Sequence, residues 1–390
     1  MHSLLKYKSL MSKNNEIILR IRKALQKKRM TQRDLAAALG KKEAEISRWM
    51  SGRMGISEQN LQRIEDVLET ALTKESLARE KSTYMRMGVI GTGSIAKRFV
   101  EEAVHVTNVY VAAAYNPDAD ETHRFCDEFG IVHEATSAED LFKRVDAVYI
   151  ASPFYTHYEY ALNAFNAGRH VLCETPLTEN LQQAKELYTI AEKNGLVFMP
   201  ALKTAYAPSF ANVIQEALSG VIGEVVDISA TVTTLLPQTK TVGFNNERLM
   251  DNAYYVLLVI LKILGENIQK VSAFTRTDDA KVLYLNTHLQ YEEAVGHVKA
   301  GTGVKSESSL VISGTKGYIY VPAPWWKPDY FEIRYENPYD NKKLYFPFES
   351  SGLRYEIQCF VDNISLKSTE RPISKQEMLK IIQIVDKYLR

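Results

Sequence analysis

The chain has 390 residues, 45% hydrophobic and 24% charged, a composition typical of globular proteins with a sizeable core. No apolar run approaches the roughly 20 residues needed to cross a membrane, and the first eight residues lack a signal-peptide core. The three cysteines, Cys126, Cys173 and Cys359, show no metal-site spacing. We therefore expect a cytoplasmic protein without a metal site, and exclude a disulfide framework and a membrane protein.

The near-neutral total charge of +1 conceals an uneven distribution. Residues 1–86 contain 19 Lys and Arg against 10 Asp and Glu, so the remainder contains 29 against 37. A basic N-terminal segment on an acidic body indicates a polyanionic partner for that segment alone.

The basic segment shows the spacing of short helices. Apolar residues recur at helical spacing from 16 to 27, and Thr31 with Asp34 forms a capping-box-like start to a second helix, which ends at Gly40. A third helix follows after a short turn, and Ser57 caps a fourth. Two short helices joined by a glycine turn in a basic segment are typical of a helix-turn-helix.

The stretch M-T-Q-R-D-L-A-A-A-L-G-K-K-E-A-E-I-S-R-W-M-S-G-R resembles the Cro and lambda-repressor type of DNA-binding domain, over residues 16–72. The resemblance implies that the third helix reads base edges in the major groove of DNA. It assigns base contacts to Lys42, Glu43, Ala44 and Arg48, and phosphate contacts to Gln32 and Arg53. The alternative is a small helical protein-interaction module whose charges are simply solvated.

Residues 87–96, M-G-V-I-G-T-G-S-I-A, predict a strand, a glycine turn and a helix. Gly91 and Gly93 let the backbone turn tightly close to a phosphate, while Ser94 and Ile95 begin a helix whose free N–H groups suit a pyrophosphate. A tight turn without a ligand is the alternative, because short glycine motifs recur by chance.

A second strand, 109–114, precedes Asn116. An acidic residue here would favour NAD and an arginine would favour NADP, but neither is present. Asn116 can hydrogen-bond a ribose. The cofactor is therefore NAD or NADP, with a slight lean to NAD because a phosphate-binding arginine is lacking.

Further strands at 145–151 and 170–173 alternate with helices, a pattern that predicts a doubly wound parallel sheet. Ligands bind such sheets beyond the carboxyl ends of the strands. The predicted cofactor residues at these ends are Ser152, Pro153, His157 and Glu174, with His157 orienting backbone around the cofactor.

The stretches G-T-G-S-I-A and V-D-A-V-Y-I-A-S-P-F-Y-T-H-Y-E-Y-A-L-N-A-F-N-A-G-R-H-V-L-C-E-T-P-L resemble the Gfo/Idh/MocA oxidoreductases, over roughly residues 86–390. The resemblance implies a Rossmann domain, a C-terminal α/β domain with an open, mainly antiparallel sheet, and a homo-oligomer. The predicted fold class is therefore α/β with an all-α head. The predicted parts are residues 1–72 (helix-turn-helix), 73–86 (linker), 87–205 (Rossmann) and 206–390 (substrate and dimerisation).

The resemblance also implies the catalytic residues. The family carries Glu-Lys-Pro where this chain has Glu174-Thr175-Pro176, and a threonine cannot replace the charge of the lysine. In the family an Asp is followed four residues later by the acid/base residue, and Asp251 and Tyr255 match these two positions. Side chains four residues apart lie on one face of a helix. A tyrosine base needs a nearby cation, which Lys203 could supply. The alternatives are a core role for Tyr255 and a solvated strand-end position for Lys203.

Two functions follow. The first is a ligand- or redox-responsive transcription regulator that binds DNA through its head and NAD(P) with a sugar- or polyol-like ligand through its body, with possible retained dehydrogenase activity. The alternative is an ordinary NAD(P)-dependent dehydrogenase acting on CH–OH groups, whose head only mediates protein interaction.

Overall fold

The computed structural model of the chain describes residues 17–18, 20–22, 24–25, 27–28, 30–50, 56–69, 84–235, 247–278, 281–346, 348–366 and 371–389. The chain divides into two compact units, Met1–Tyr84 and Met85–Arg390. The predicted α/β class is confirmed, with a helical head, a parallel-sheet Rossmann domain and a C-terminal mixed sheet. The finer domain boundaries stay a prediction.

The first unit, called the head below, is helical. Helical residues between 17 and 27 form α1, followed by α2 (Gln32–Leu39), α3 (Glu43–Met50) and α4 (Glu58–Leu68). The predicted capping box at Thr31 and Asp34 is present, and Gly40 ends α2 with φ 64°. The helices enclose a small apolar core that includes Ile21, Leu35, Ile46, Trp49 and Ile64.

The Rossmann domain alternates strands and helices. Its elements are β1 (Met85–Ile90), α5 (Ser94–Ala103), β2 (Val109–Tyr115), α6 (Ala119–Phe129), β3 (His133–Glu134), α7 (Ala138–Phe142), β4 (Ala147–Ile150), α8 (His157–Asn166), β5 (His170–Glu174), α9 (Leu181–Lys193) and β6 (Phe198–Ala201). All strands are parallel, in the order β3-β2-β1-β4-β5-β6. The order reverses between β1 and β4, which places a ligand crevice at the end of β1.

The C-terminal domain carries an eight-stranded sheet. Its elements are α10 (Pro208–Leu218), β7 (Val225–Thr234), α11 (Glu247–Leu264), β8 (Lys270–Asp278), β9 (Lys281–Gln290), β10 (Val295–Thr302), β11 (Leu310–Gly314), β12 (Tyr318–Val321), β13 (Tyr330–Arg334), β14 (Lys342–Tyr345), α12 (Leu353–Ser365) and α13 (Lys375–Leu389). The strand order is β14-β13-β12-β11-β7-β10-β9-β8, and β7 with β10 is its one parallel pair among the described strands. Helix α11 packs on β7 and β10. No described helix is both long and apolar enough to span a bilayer.

Helix α12 joins the two domains of the second unit. It packs on α5 and on a 3-10 turn after β6, Lys203–Tyr206. Glu102 of α5 is buried and accepts hydrogen bonds from Arg354 Nε at 2.6 Å and from the Ser351 hydroxyl at 3.2 Å. Burial alone would raise the pKa of Glu102, but these hydrogen bonds outweigh it and lower the pKa to about 2.

The lowered pKa makes stability depend on pH. A carboxyl group whose pKa falls from 4.5 to about 2 on folding stabilises the fold above pH 4.5, and that contribution is lost as the pH falls toward 2. Glu102→Gln should therefore lower the free energy of unfolding by about 3 kcal/mol near neutral pH. Denaturant titrations at a series of pH values measure this.

Glu128→Gln is the control, because the ion pair of Glu128 with Lys97 is exposed on both sides and should contribute little. The loss in Glu102→Gln should shrink as the pH approaches 2. A loss that stayed the same across the acid range would contradict the assignment.

Candidate active site

The turn after β1 has room for a pyrophosphate. Gly91 has φ 101°, and a Cβ there would lie 2.5 Å from the carbonyl oxygen of Ala151, so only glycine fits. A Cβ on Gly93 would meet no atom within 4 Å, so the backbone borders open space at the N-terminus of α5. Ser94 and Ile95 form the first turn of this helix, which carries no acidic residue. The turn therefore fits the pyrophosphate of a dinucleotide.

The loop after β2 is held in place by Asn116, the residue predicted to bind a ribose. The Asn116 side-chain amide donates to the Thr92 hydroxyl at 2.7 Å, and its oxygen accepts from the Asp118 backbone N–H at 2.9 Å. These bonds tie the glycine turn to the end of β2. A role for Asn116 in ribose binding stays a prediction.

His157 links the loops after β4 and β5. Its ring is buried, with Nδ1 2.9 Å from the carbonyl oxygen of Pro176 and Nε2 2.8 Å from that of Ser152. Burial lowers the pKa of His157, although both carbonyl groups oppose this. Ser152 also bonds the Thr156 hydroxyl at 2.7 Å, and Pro153 accepts from it. His157 thus holds backbone in place, the role the sequence predicts.

Glu174 ends β5 inside an acidic cluster. Its carboxylate accepts a short hydrogen bond from the hydroxyl of Tyr149 on β4, whose ring stacks on Phe99 of α5 at 3.7 Å between centroids. Burial raises the pKa of Glu174 to about 7, against the lowering effects of Tyr149, Lys203 and the Thr175 backbone N–H. Glu174 therefore keeps its proton to a higher pH than an ordinary glutamic acid.

Asp251 and Thr175, which the resemblance places at two separate family sites, lie close together, while their catalytic roles stay predictions. The Thr175 hydroxyl is buried and hydrogen-bonds the Asp251 carboxyl group. The Asp251 Oδ1 atom is buried and makes no hydrogen bond within the described ranges. Burial and the charge of Glu174 raise the pKa of Asp251 well above its usual value. The pair can present both a donor and an acceptor to a ligand hydroxyl.

Tyr255 lies one helical turn from Asp251 on α11, half-buried. Burial raises its pKa well above the usual value, and the carboxyl groups of Glu174, Asp251 and Glu356 add to this. The expectation that a cation lowers the pKa of Tyr255 is therefore wrong, because burial and the nearby carboxyl groups raise that pKa against the effect of Arg98. The phenol is suited to donate a proton rather than to accept one.

Lys203 begins the 3-10 turn after β6 and is half-buried rather than solvated. Burial and Lys327 lower the pKa of Lys203, while Glu356 and Glu174 oppose that decrease. The neighbouring Thr204 hydroxyl donates to the carbonyl oxygen of Trp326 at 2.8 Å, which fixes the turn against the C-terminal domain. Lys203 therefore supplies a positive charge to the acidic cluster.

Sequence reasoning missed two residues of this cluster. Tyr149 places a hydroxyl inside the apolar strand A-V-Y-I, and a buried phenol requires a partner. Glu356 interrupts the buried stripe of α12 formed by Leu353, Ile357 and Phe360. A polar group within an apolar pattern was the signal in both cases.

The head presents the predicted DNA-binding residues. Those that the structure describes are all exposed: Gln32, Lys42, Glu43, Ala44 and Arg48. Arg53 lies outside the described residues. The opposite side of α3 buries Ile46, Trp49 and Met50. These contacts with DNA stay a prediction.

One side-chain group in the described ranges has the spacing of metal ligands. His123, Asp127 and Glu134 place their ligand atoms within 4.8 Å of one another, and all three residues are exposed. A hydrogen bond with Glu134 raises the pKa of His123. Neither fact indicates a bound ion, so the expectation of no metal site is left as it stands.

Comparison with known proteins supports both units. Residues 85–202 match the model of an oxidoreductase family with an NAD-binding Rossmann fold, the Gfo/Idh/MocA family, and residues 21–74 match a helix-turn-helix model. These matches support the fusion of a helix-turn-helix segment with an oxidoreductase domain of the Rossmann type. The predicted NAD(P) cofactor is confirmed at the level of the family, while the lean to NAD is untested.

Several relatives are named for a polyol or a sugar substrate. The chain is 27% identical over 306 residues to scyllo-inositol 2-dehydrogenase (NADP(+)) of Bacillus subtilis, covering 73% of this chain and 90% of that protein. It is 26% identical to the dTDP-3,4-didehydro-2,6-dideoxy-alpha-D-glucose 3-reductase of Streptomyces antibioticus, covering 65% and 80%. A 3-ketoreductase from Actinomadura kijaniata, solved with NADP and TDP-benzene, shares the fold with a TM-score of 0.69 and 22% identity, covering 78% and 96%.

The glycine turn gives a direct test of the cofactor site. Gly93→Asp should abolish NADPH binding, because the carboxylate would occupy the open space at the N-terminus of α5 and repel the pyrophosphate. The fold should survive, since the backbone at Gly93 has φ −70° and no atom obstructs a Cβ. Calorimetric titration with NADPH measures the loss.

Ala119→Asp is the matched control, because it adds the same carboxylate to the first turn of α6. It should leave NADPH affinity unchanged. Undiminished affinity in a folded Gly93→Asp variant would refute the assignment of the turn.

Proposed function

We propose that the chain is a DNA-binding regulator whose oxidoreductase unit binds NAD(P) and a sugar- or polyol-like ligand and retains hydride transfer. The observation that carries the catalytic part is the position of Tyr255 one helical turn from Asp251, with burial and the carboxyl groups of Glu174 and Asp251 raising the pKa of its phenol. A neutral phenol beside a ligand carbonyl can act as the general acid when a keto group is reduced. The keto-sugar reductases among the relatives support this direction.

The chain's own residues would divide the work. Gly91, Gly93 and the first turn of α5 hold the pyrophosphate, and the loops fixed by His157 border the nicotinamide. When bound, the reduced nicotinamide supplies a hydride to the carbonyl carbon. Tyr255 donates its proton to the carbonyl oxygen as negative charge develops there, so ketone becomes alcohol and the phenol becomes phenolate.

Other residues would hold the ligand and balance this charge. Asp251 and Thr175 bind a hydroxyl group next to the carbonyl, which orients the reacting carbon. Lys203 provides a cation to the cluster that Thr175 cannot provide, and Arg98 favours the phenolate until a proton returns to it. This division explains how catalysis could persist with threonine in the second position of Glu174-Thr175-Pro176.

The helix-turn-helix head favours a regulatory role for the binding of cofactor and ligand by the oxidoreductase unit. Helix α3 exposes Arg48 and buries Ile46 and Trp49, and Lys42, which directly precedes the helix, is exposed as well. A homodimer would supply two such helices for half-sites about 34 Å apart. The cofactor or the sugar-like ligand would control DNA binding if it binds the DNA-competent state and the incompetent state with different affinities.

Tyr255→Phe tests the proton donor. It should lower kcat for NADPH-dependent reduction of a keto sugar by about 10²- to 10⁴-fold and leave NADPH binding intact. The pKa of Tyr255 is raised by burial and by carboxyl groups, so alkaline pH should not remove its proton and the wild-type reduction should not lose this donor. Stopped-flow absorbance at the nicotinamide band measures the hydride step.

Tyr254→Phe, which removes the neighbouring buried phenol of α11, is the control and should retain activity. Equal rates in Tyr255→Phe and wild type would show that another group donates the proton.

Arg48→Ala tests base recognition. It should weaken binding to a site selected from genomic fragments by about 1–3 kcal/mol and relax sequence preference, as expected for a lost base contact. Gln32→Ala removes a predicted phosphate contact instead and should weaken selected and random DNA alike. Gel-shift titrations compare them. Absence of binding to any fragment at low salt would leave the head as a protein-interaction module.

A further inference from the structure

A cleft lies between the Rossmann domain and the start of α13, at the edge of the parallel sheet away from the cofactor turn. Its volume is about 350 Å³, and the residues that line it include Tyr188, Leu196, Phe198, Arg371 and Lys375. Phe198 is the first residue of β6, so the cleft is at the amino ends of the parallel strands. The glycine turn follows the carboxyl end of β1. The cleft is therefore separate from the candidate active site.

Arg371 supplies the positive charge of this cleft. Its Nη1 donates to the carbonyl oxygen of Phe198 at 3.0 Å, which fixes the planar guanidinium at the start of β6. Its Nε is buried without a hydrogen-bond partner in the described ranges. The second cation, Lys375, is already paired, because its Nζ lies 2.9 and 2.8 Å from the two carboxyl oxygens of Glu192. Among the described residues, no carboxyl group forms an ion pair with Arg371, so one positive charge is left uncompensated.

Tyr188 adds a hydroxyl group that has no partner. The residue is 4% exposed, and its ring packs on Phe198 with the ring centroids 4.8 Å apart. Its hydroxyl makes no hydrogen bond to any residue that the structure describes. Burial raises the pKa of Tyr188 although Arg371 opposes this, so the phenol is neutral and can donate. Buried phenols ordinarily have a hydrogen-bond partner, so this one points to a ligand.

We propose that the cleft is a second ligand site, which takes a small monocarboxylate with an apolar body. The planar N–H donors of the guanidinium suit the two oxygens of a carboxylate, and the Tyr188 hydroxyl offers a further donor. One uncompensated cation balances a single negative charge. Leu196 and Phe198 supply apolar walls for the rest of the molecule, and the volume is within the usual range of small-molecule sites.

The bound carboxylate would contact both domains of the second unit. Arg371 directly precedes the C-terminal helix α13, whereas Tyr188 and Phe198 belong to the Rossmann domain. Helix α13 packs on α9, which carries Tyr188. A ligand held by both sides stabilises this packing and should raise the thermal midpoint of the chain. The inference is independent of the proposed function, because it uses none of the candidate active-site residues.

Calorimetric titration of the full chain with sodium benzoate tests the proposal. Wild type should bind one benzoate per chain. Tyr188→Phe keeps the ring and removes only the hydroxyl, so it should weaken benzoate binding about tenfold or more, as expected for a lost hydrogen bond to a charged group. Arg371→Lys keeps the charge but loses the planar donors, and should weaken binding at least as much.

Tyr160→Phe is the matched control, because Tyr160 is a half-buried phenol of the same domain that is not among the lining residues of the cleft. It should leave benzoate affinity unchanged. Thermal midpoints without benzoate separate binding from folding. Tyr188→Phe removes a hydroxyl without a partner, so its midpoint should equal or exceed that of wild type.

Absence of benzoate binding to wild type, or wild-type affinity in both Tyr188→Phe and Arg371→Lys, would overturn the proposal. A lower thermal midpoint in Tyr188→Phe would also overturn it, because the hydroxyl would then serve the fold. Tighter binding of inorganic phosphate than of benzoate would contradict the assignment to a monocarboxylate. None of these titrations requires NADPH, a keto sugar or DNA, so failure of the proposed function would leave their outcomes unchanged.

Discussion

The site depends on the burial of one carboxyl group, Glu174, at the end of β5. To be tolerated there, it accepts a hydrogen bond from Tyr149 on β4, and the stacking of Tyr149 on Phe99 connects both strands to the helix that begins at the glycine turn. Burial raises the pKa values of Asp251 and Tyr255 on α11, and the charge of Glu174 adds to both. The cofactor turn and the proposed proton donor are thus coupled through one buried acid.

The sequence predicts those features of the site that depend on residues close together in the chain. Gly91, Gly93 and the strand ends were predictable, because a tight turn and strand alternation depend only on neighbouring residues. Asp251 and Tyr255 came from the family resemblance, whose four-residue spacing places them on one helix face, and their roles stay predictions. The direction in which the pKa of Tyr255 shifts could not be predicted in this way. It depends on Glu174 and Glu356, which reach the site from separate elements.

The environment of Lys203 also depends on an element that is distant in the sequence. At the end of β6 it reads as a solvated charge, and its burial appears only when α12 packs over the 3-10 turn. In the head, by contrast, the capping box, the glycine turn and the apolar stripes are all local, and the structure reproduces each of them where it is described. Contacts between distant elements, rather than the elements themselves, escaped prediction.

The central claim is that one chain links the state of a dinucleotide to the binding of DNA. Linkage requires that DNA and cofactor change each other's affinity by the same factor. The most direct measurement is the affinity of the full chain for its selected DNA site without cofactor, with NADPH and with NADP⁺, at fixed salt. The account predicts that saturating cofactor changes the affinity at least about fivefold. Identical affinities in all three conditions, with cofactor binding verified in the same sample, would contradict it.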